Sequence, residues 1–119
     1  MSKRRVTIHI GDMDDMGRRF VAAWKAAERG KAVQRDHVTF LSLEAFMSTM
    51  SPKRLDLLRR LRGDGPMSVR KLAASLERDY KSVHRDVALL ADTGLIERQA
   101  EDRVAVTWDR AVTQLDLAA

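Results

Sequence analysis

The chain has 119 residues, enough for one small domain, with 22 basic against 17 acidic side chains and a formal net charge of +5. An isoelectric point near 10.1 suits a polyanionic partner: nucleic acid, an anionic membrane or an acidic protein. The absence of cysteine excludes disulfides and thiolate metal sites, and no apolar run approaches the roughly 20 residues of a membrane span. The opening MSKRRVTIHIGDMDD lacks the apolar centre of a signal peptide, so the expectation is a cytoplasmic protein with no membrane partner.

Val6, Ile8 and Ile10 alternate with Thr7 and His9, the period of a half-buried strand. Gly11-Asp12 breaks it. From about Asp14 to Arg29, Met16, Phe20, Ala23, Trp24 and Ala27 recur at helical spacing, and Gly30 is a stop signal. HVTFLS (37–42) reads as a second short strand, after which Ser42 caps a short helix carrying Leu43, Phe46, Met47 and Met50. Ser51-Pro52 opens the next helix with a cap followed by proline at the first helical position. Leu55, Leu58 and Leu61 are expected on its inner face, with Leu57 flanking, and GDGP (63–66) ends it. Ser68 caps a helix with Val69, Leu72, Ala73 and Leu76. After a tight turn at Glu77-Arg78, Asp79 caps another, with Val83, Val87 and Leu90 inward and Gly94 at its end. LIERQA and RVAVTW, either side of Glu101-Asp102, read as a hairpin. The last stretch, 111–119, reads as a tail.

Helix, short β segment at Met67, helix, tight turn, helix and hairpin, in that order from Pro52, is the order of a winged helix-turn-helix. The third helix of that motif keeps one face on the core and turns the other toward a groove. With Val83 at zero and steps of about 100°, Val87 and Leu90 fall within about 40° of it, and Lys81 and Arg85 lie about 160° away on either side. Ser82 and His84 flank them. Asp86, about 60° from the core face, is expected to make a structural hydrogen bond or ion pair. The cationic and hydrogen-bonding residues thus gather in the turns that would meet base edges and phosphates.

PMSVRKLAASLERDYKSVHRDVALLADTGLIER (66–98) resembles the winged-helix regulators of the broad MarR-like group, especially small prokaryotic ones with VHRDV in the recognition helix and LxxxGLIE leading into the wing. The resemblance spans about residues 42–108. It implies contact with double-stranded DNA by Tyr80, Lys81, Ser82, His84 and Arg85, helped by the wing. The wing tip departs from an ideal phosphate contact: Glu101 and Asp102 stand there, flanked by Arg98 and Arg103. Many members of the subgroup resemble antitoxins that repress their own operon.

The expectation is therefore an α+β, mainly helical chain. Residues 1–41 form an N-terminal strand-helix-strand extension, 42–110 the winged helix-turn-helix, and 111–119 the tail. Its function would be sequence-specific DNA-binding repression, as an autoregulatory antitoxin; the alternative is a protein-interaction module that neutralises a partner toxin, with DNA binding secondary. Ser68, Arg70, Lys71, Arg78, Arg98 and Arg103 join the five recognition-helix residues as DNA-contact candidates, Lys71 and Arg78 positioning phosphates. Val6, Ile8, Ile10, Met16, Phe20 and Trp24 are candidates for homodimerisation or toxin binding. On this reading the core lies in Leu55, Leu58, Leu72, Leu76, Val83, Val87 and Leu90, so a chain lacking 1–41 should still fold. His9, His37 and His84 show no ligand spacing and no catalytic pattern is present; neither metal, cofactor nor enzymatic activity is expected.

Overall fold

The computed structural model describes residues 4–11, 37–115 and 117; the helix expected over 14–29, with Met16, Phe20 and Trp24, lies outside them. The described residues form a small α+β domain. Strands β1 (Arg5–Ile10) and β2 (His37–Phe40) precede helices α1 (Leu43–Thr49) and α2 (Pro52–Asp64), the short strand β3 (Met67–Ser68), and helices α3 (Val69–Leu76) and α4 (Tyr80–Thr93). Strands β4 (Glu97–Gln99), β5 (Arg103–Ala105) and β6 (Arg110–Leu115) follow. Among the described residues no helix is long and apolar enough to cross a membrane.

Each of these four helices starts where a short side chain can occupy one of the first free N–H groups. Ser42, Ser51, Ser68 and Asp79 accept from the backbone N–H of Ala45, Arg54, Lys71 and Ser82 respectively. Helix α4 ends at Gly94, whose φ of 97° is the left-handed conformation that glycine adopts without strain. Between α3 and α4 the chain turns through Glu77, a non-glycine residue at φ 53°, and Arg78 N–H closes the turn onto the carbonyl of Ala73 at 3.0 Å.

The second helix differs from expectation. Leu57 and Leu61 are fully buried, whereas Leu55 is exposed and Leu58 only partly buried. Leucines three residues apart drift by about 60° per step, so Leu55 stands about 120° from Leu61 while Leu57 is only about 40° from it. The inner stripe is Leu57–Leu61, bordered by Arg54 and Leu58.

Two three-stranded sheets flank the helices. One is antiparallel, in the order β3-β5-β4, with Met67 opposite Val104 and Gln99 opposite Arg103. Glu101 and Asp102 make its hairpin turn with φ of 63° and 56°. The other is parallel, in the order β2-β1-β6. Arg110–Leu115, which takes in residues 111–115 of what reads as a tail, is thus its third strand, because each of Arg5–Ile10 finds a ladder partner there.

This parallel sheet corrects the division into an N-terminal extension and a self-sufficient remainder. Val6, Ile8, Val38 and Phe40 belong to one buried cluster with Leu57, Leu61, Leu72, Val83, Val87 and Leu90. A Cβ placed on Gly94 would meet Val38 Cγ2 at 3.5 Å, and the Phe40 ring stands edge-on to Phe46 of α1 with centroids 5.4 Å apart. Near the start of the sheet, Arg4 N–H donates to Asp109 Oδ2 at 2.9 Å and its guanidinium lies 4.5 Å from the centroid of Trp108. Asp109 also bonds Arg62 of α2.

Val6 and Ile8, expected to face a second copy or a toxin, are 0% and 1% exposed: their side chains are consumed inside the protomer's own core. β1 is flanked on both sides, so it has no edge to offer either. Ile8→Ala is expected to destabilise the whole domain by about 2–5 kcal/mol, the range for a buried branched aliphatic cut to alanine, in a single urea transition. An unchanged midpoint, or a folded chain lacking residues 1–41, would show that the sheet is not part of the core.

Candidate nucleic-acid interface

Helix α4 divides as its wheel requires. Val83, Val87 and Leu90 are buried, while Tyr80, Lys81, His84 and Arg85 are exposed and Ser82 is half-buried. Lys81 and Arg85 are one turn apart, so their charges share a stretch of surface. The Ser82 backbone is tied to the Asp79 carboxylate at 3.1 Å, which fixes the first turn and places a negative charge at the helix start.

Beside this face a cleft of about 560 Å³ opens between the first turns of α3 and α4 and the β4–β5 hairpin. Ser68, Arg70, Tyr80, His84, Arg98 and Arg103 line it, with Gln99 and Asp102. The structure therefore brings together candidates up to 35 positions apart in sequence, from Ser68 to Arg103. Arg70 sits with its guanidinium 4.8 Å from the centroid of the Tyr80 ring, a cation–π contact. The His84 and Tyr80 rings are also neighbours, with centroids 5.7 Å apart. Three guanidinium-bearing residues against one carboxylate give the cleft a positive field, suited to an anion. Lys71, exposed on α3, lies outside the lining, and so do Lys81, Ser82 and Arg85 of α4. Gln99 is not among the residues the sequence singles out, and Asp102 is read there only as part of the acidic hairpin tip; the alternation of the hairpin is the available signal, but only the folded arrangement shows which side faces the cleft.

Arg78 is corrected. Instead of reaching outward for phosphate, its Nη2 donates to Asp86 Oδ2 at 2.7 Å, and Arg54 Nε donates to Asp86 Oδ1 at 3.1 Å. The other terminal nitrogen of Arg78 is buried too. Asp86 is 8% exposed, so one carboxylate on α4 holds two guanidiniums, from α2 and from the α3–α4 turn. Arg54 further donates through Nη1 to the carbonyls of Ser48 and Thr49 at 3.0 and 3.2 Å, tying in the end of α1. The structural ion pair expected of Asp86 is present; of its partners, Arg78 was expected at a phosphate and Arg54 is not singled out by the sequence.

His9 and His37, without ligand spacing in sequence, meet across β1 and β2. His9 Nε2 and His37 Nδ1 share a hydrogen bond of 2.7 Å, with the rings stacked at a centroid distance of 5.0 Å. Among the described residues no group of three or more side chains could hold a metal ion.

Fold and surface together define a small α+β protein with a basic, hydrogen-bonding face built from α3, α4 and a β-hairpin. The HVO_A0114 family model matches residues 49–113, more than half of the chain, and the protein belongs to that family. No curated protein matches the sequence.

Asp86→Ala would leave two guanidiniums in a largely buried site without their anion. The expected cost is about 3–5 kcal/mol, typical of removing one partner from a buried ion cluster, read from chemical denaturation. A loss within the noise of a surface substitution would show that solvent, not Asp86, balances Arg54 and Arg78.

Proposed function

We propose that this protein is a sequence-specific DNA-binding transcriptional repressor, in which α2, α3, α4 and the β4–β5 hairpin act as a winged helix-turn-helix with α4 as the recognition helix. The observation that carries this reading is the outward face of α4: Lys81, His84 and Arg85 exposed on a helix whose opposite face is buried, next to a cleft carrying Arg70, Arg98 and Arg103. The likeness of residues 66–98 to MarR-like regulators supports the same conclusion.

The chemistry follows from the kinds of group on that face. Arg85 offers the planar fork that matches the O6 and N7 acceptors of guanine, and His84 and Lys81 add donors along the major groove. Lys71, on the neighbouring helix, supplies a point charge for a phosphate, which fixes register without reading sequence. The cleft gives the adjoining backbone a second basic wall in Arg98 and Arg103, while Asp102 keeps the hairpin tip from being uniformly attractive. Because Asp79 already occupies the start of α4, side chains rather than free helix N–H groups carry most of the attraction.

Arg85→Ala is expected to weaken binding to a duplex from the region upstream of the protein's own gene by about 1–3 kcal/mol and to relax preference at one base position. Lys71→Ala should weaken all duplexes alike and reduce the salt dependence by about one phosphate contact. Titrations at several salt concentrations measure both. If Arg85→Ala binds as tightly and as selectively as the parent chain, α4 is not the reading element.

A further inference from the structure

All six residues of β6 are exposed, although the strand is fully laddered to β1. Val6 stands opposite Ala111, Ile8 opposite Thr113 and Ile10 opposite Leu115. Residues opposite one another in a ladder point to the same face of the sheet. Ala111, Thr113 and Leu115 therefore lie on the face where Val6 and Ile8 are buried, yet Leu115 is 49% exposed. The sheet overhangs its core by one strand. On the other face Val112 is 37% exposed.

The outer side of β6 is also an edge. The sheet order β2-β1-β6 places no strand beyond it among the described residues, so alternate N–H and C=O groups point away from β1 in the pattern that a further strand would match. The usual protections are missing: RAVTQL contains no proline and no lysine, and its one charge is Arg110 at the beginning. The opposite edge, β2, has four residues, two of them buried.

We propose that β6 is a dimer interface, where two copies of this chain join β6 to β6 antiparallel about a two-fold axis and form one continuous sheet. Its sequence is self-complementary in that arrangement. In the register centred on Thr113, the two Thr113 residues face each other, and Ala111 of each copy meets Leu115 of the other on the core side. Val112 meets Gln114 on the opposite face. The two Arg110 residues lie at opposite ends of the junction, so no like charges are opposed, whereas parallel in-register pairing would set them side by side. Cross-strand pairs of these kinds, threonine with threonine and aliphatic with aliphatic, are the units that stabilise antiparallel sheets. The interface stands without the DNA-binding reading; joined to it, the two-fold protein would require an inverted-repeat site.

The chain has no cysteine, so one introduced thiol reports unambiguously. Directly opposed antiparallel residues have Cα atoms about 4.5–5.5 Å apart, within disulfide range. The full-length Thr113→Cys variant, oxidised without DNA, should give a covalent dimer, while Arg59→Cys, on the exposed side of α2, should not. Sedimentation of the unaltered chain at tens of micromolar should show a dimer, and Thr113→Lys should shift it to monomer with its circular dichroism unchanged. A monomeric parent chain would overturn the proposal, and would leave the edge to a strand of some other protein. A dimer that survives Thr113→Lys, and that the Thr113→Cys variant fails to cross-link, would overturn it as well. A dimer linked through β6 that binds no duplex would count against the DNA-binding reading alone.

Discussion

One carboxylate sets the geometry on which the basic face depends. Asp86 projects from the second turn of α4 into a site walled by Arg54 of α2 and Arg78 of the α3–α4 turn, with hydrogen bonds of 3.1 and 2.7 Å. Van der Waals packing of Val83, Val87 and Leu90 would tolerate some rotation of the helix about its own axis. A charge held from two sides does not, because rotation would strand guanidiniums in a site of low polarity. The angle of α4, and so the direction of Lys81, His84 and Arg85, is thereby tied to α2 and α3. Arg54 extends the link to the end of α1 through the carbonyls of Ser48 and Thr49.

The second constraint is the shared core. Two sheets close on one set of helices: the antiparallel β3-β5-β4 sheet carries the hairpin that walls the cleft, and the parallel β2-β1-β6 sheet covers the end of α4 near Gly94. The parallel sheet is drawn from both ends of the chain, β1 near the start and β6 near the end. That arrangement places the basic face and the exposed β6 edge on one packed domain. Any partner taken up at the edge would be held in fixed relation to α4.

Much of this is legible in the residues. The caps at Ser42, Ser51, Ser68 and Asp79, the stop at Gly94 and the hairpin around Glu101-Asp102 are local signals, decided within a few residues of chain, and each appears where its chemistry calls for it. The division of α4 into buried and exposed faces is periodic and equally readable. Relations between distant segments are not. RAVTQL carries a weak alternation that becomes a strand only because β1 lies beside it, and Val6 and Ile8 look like an unpartnered strand until β6 and the helices are known. Arg78 and Lys71 are both cations near a turn; only the position of Asp86 separates the buried partner from the exposed one. In α2, four leucines in seven positions allow more than one stripe, and the choice of Leu57 over Leu55 is made by what packs against the helix.

In the proposed function the face formed by α4, the start of α3 and the β4–β5 hairpin meets DNA, and such a contact can be read residue by residue. Amide chemical shifts of the labelled protein, followed during titration with a duplex from the region upstream of its own gene, test it most directly. The largest changes are expected at Tyr80–Arg85, at Ser68–Lys71 and at Arg98 and Arg103, fading as salt is raised. Changes centred on the parallel sheet instead, or none at low salt, would show that α4 does not meet the duplex.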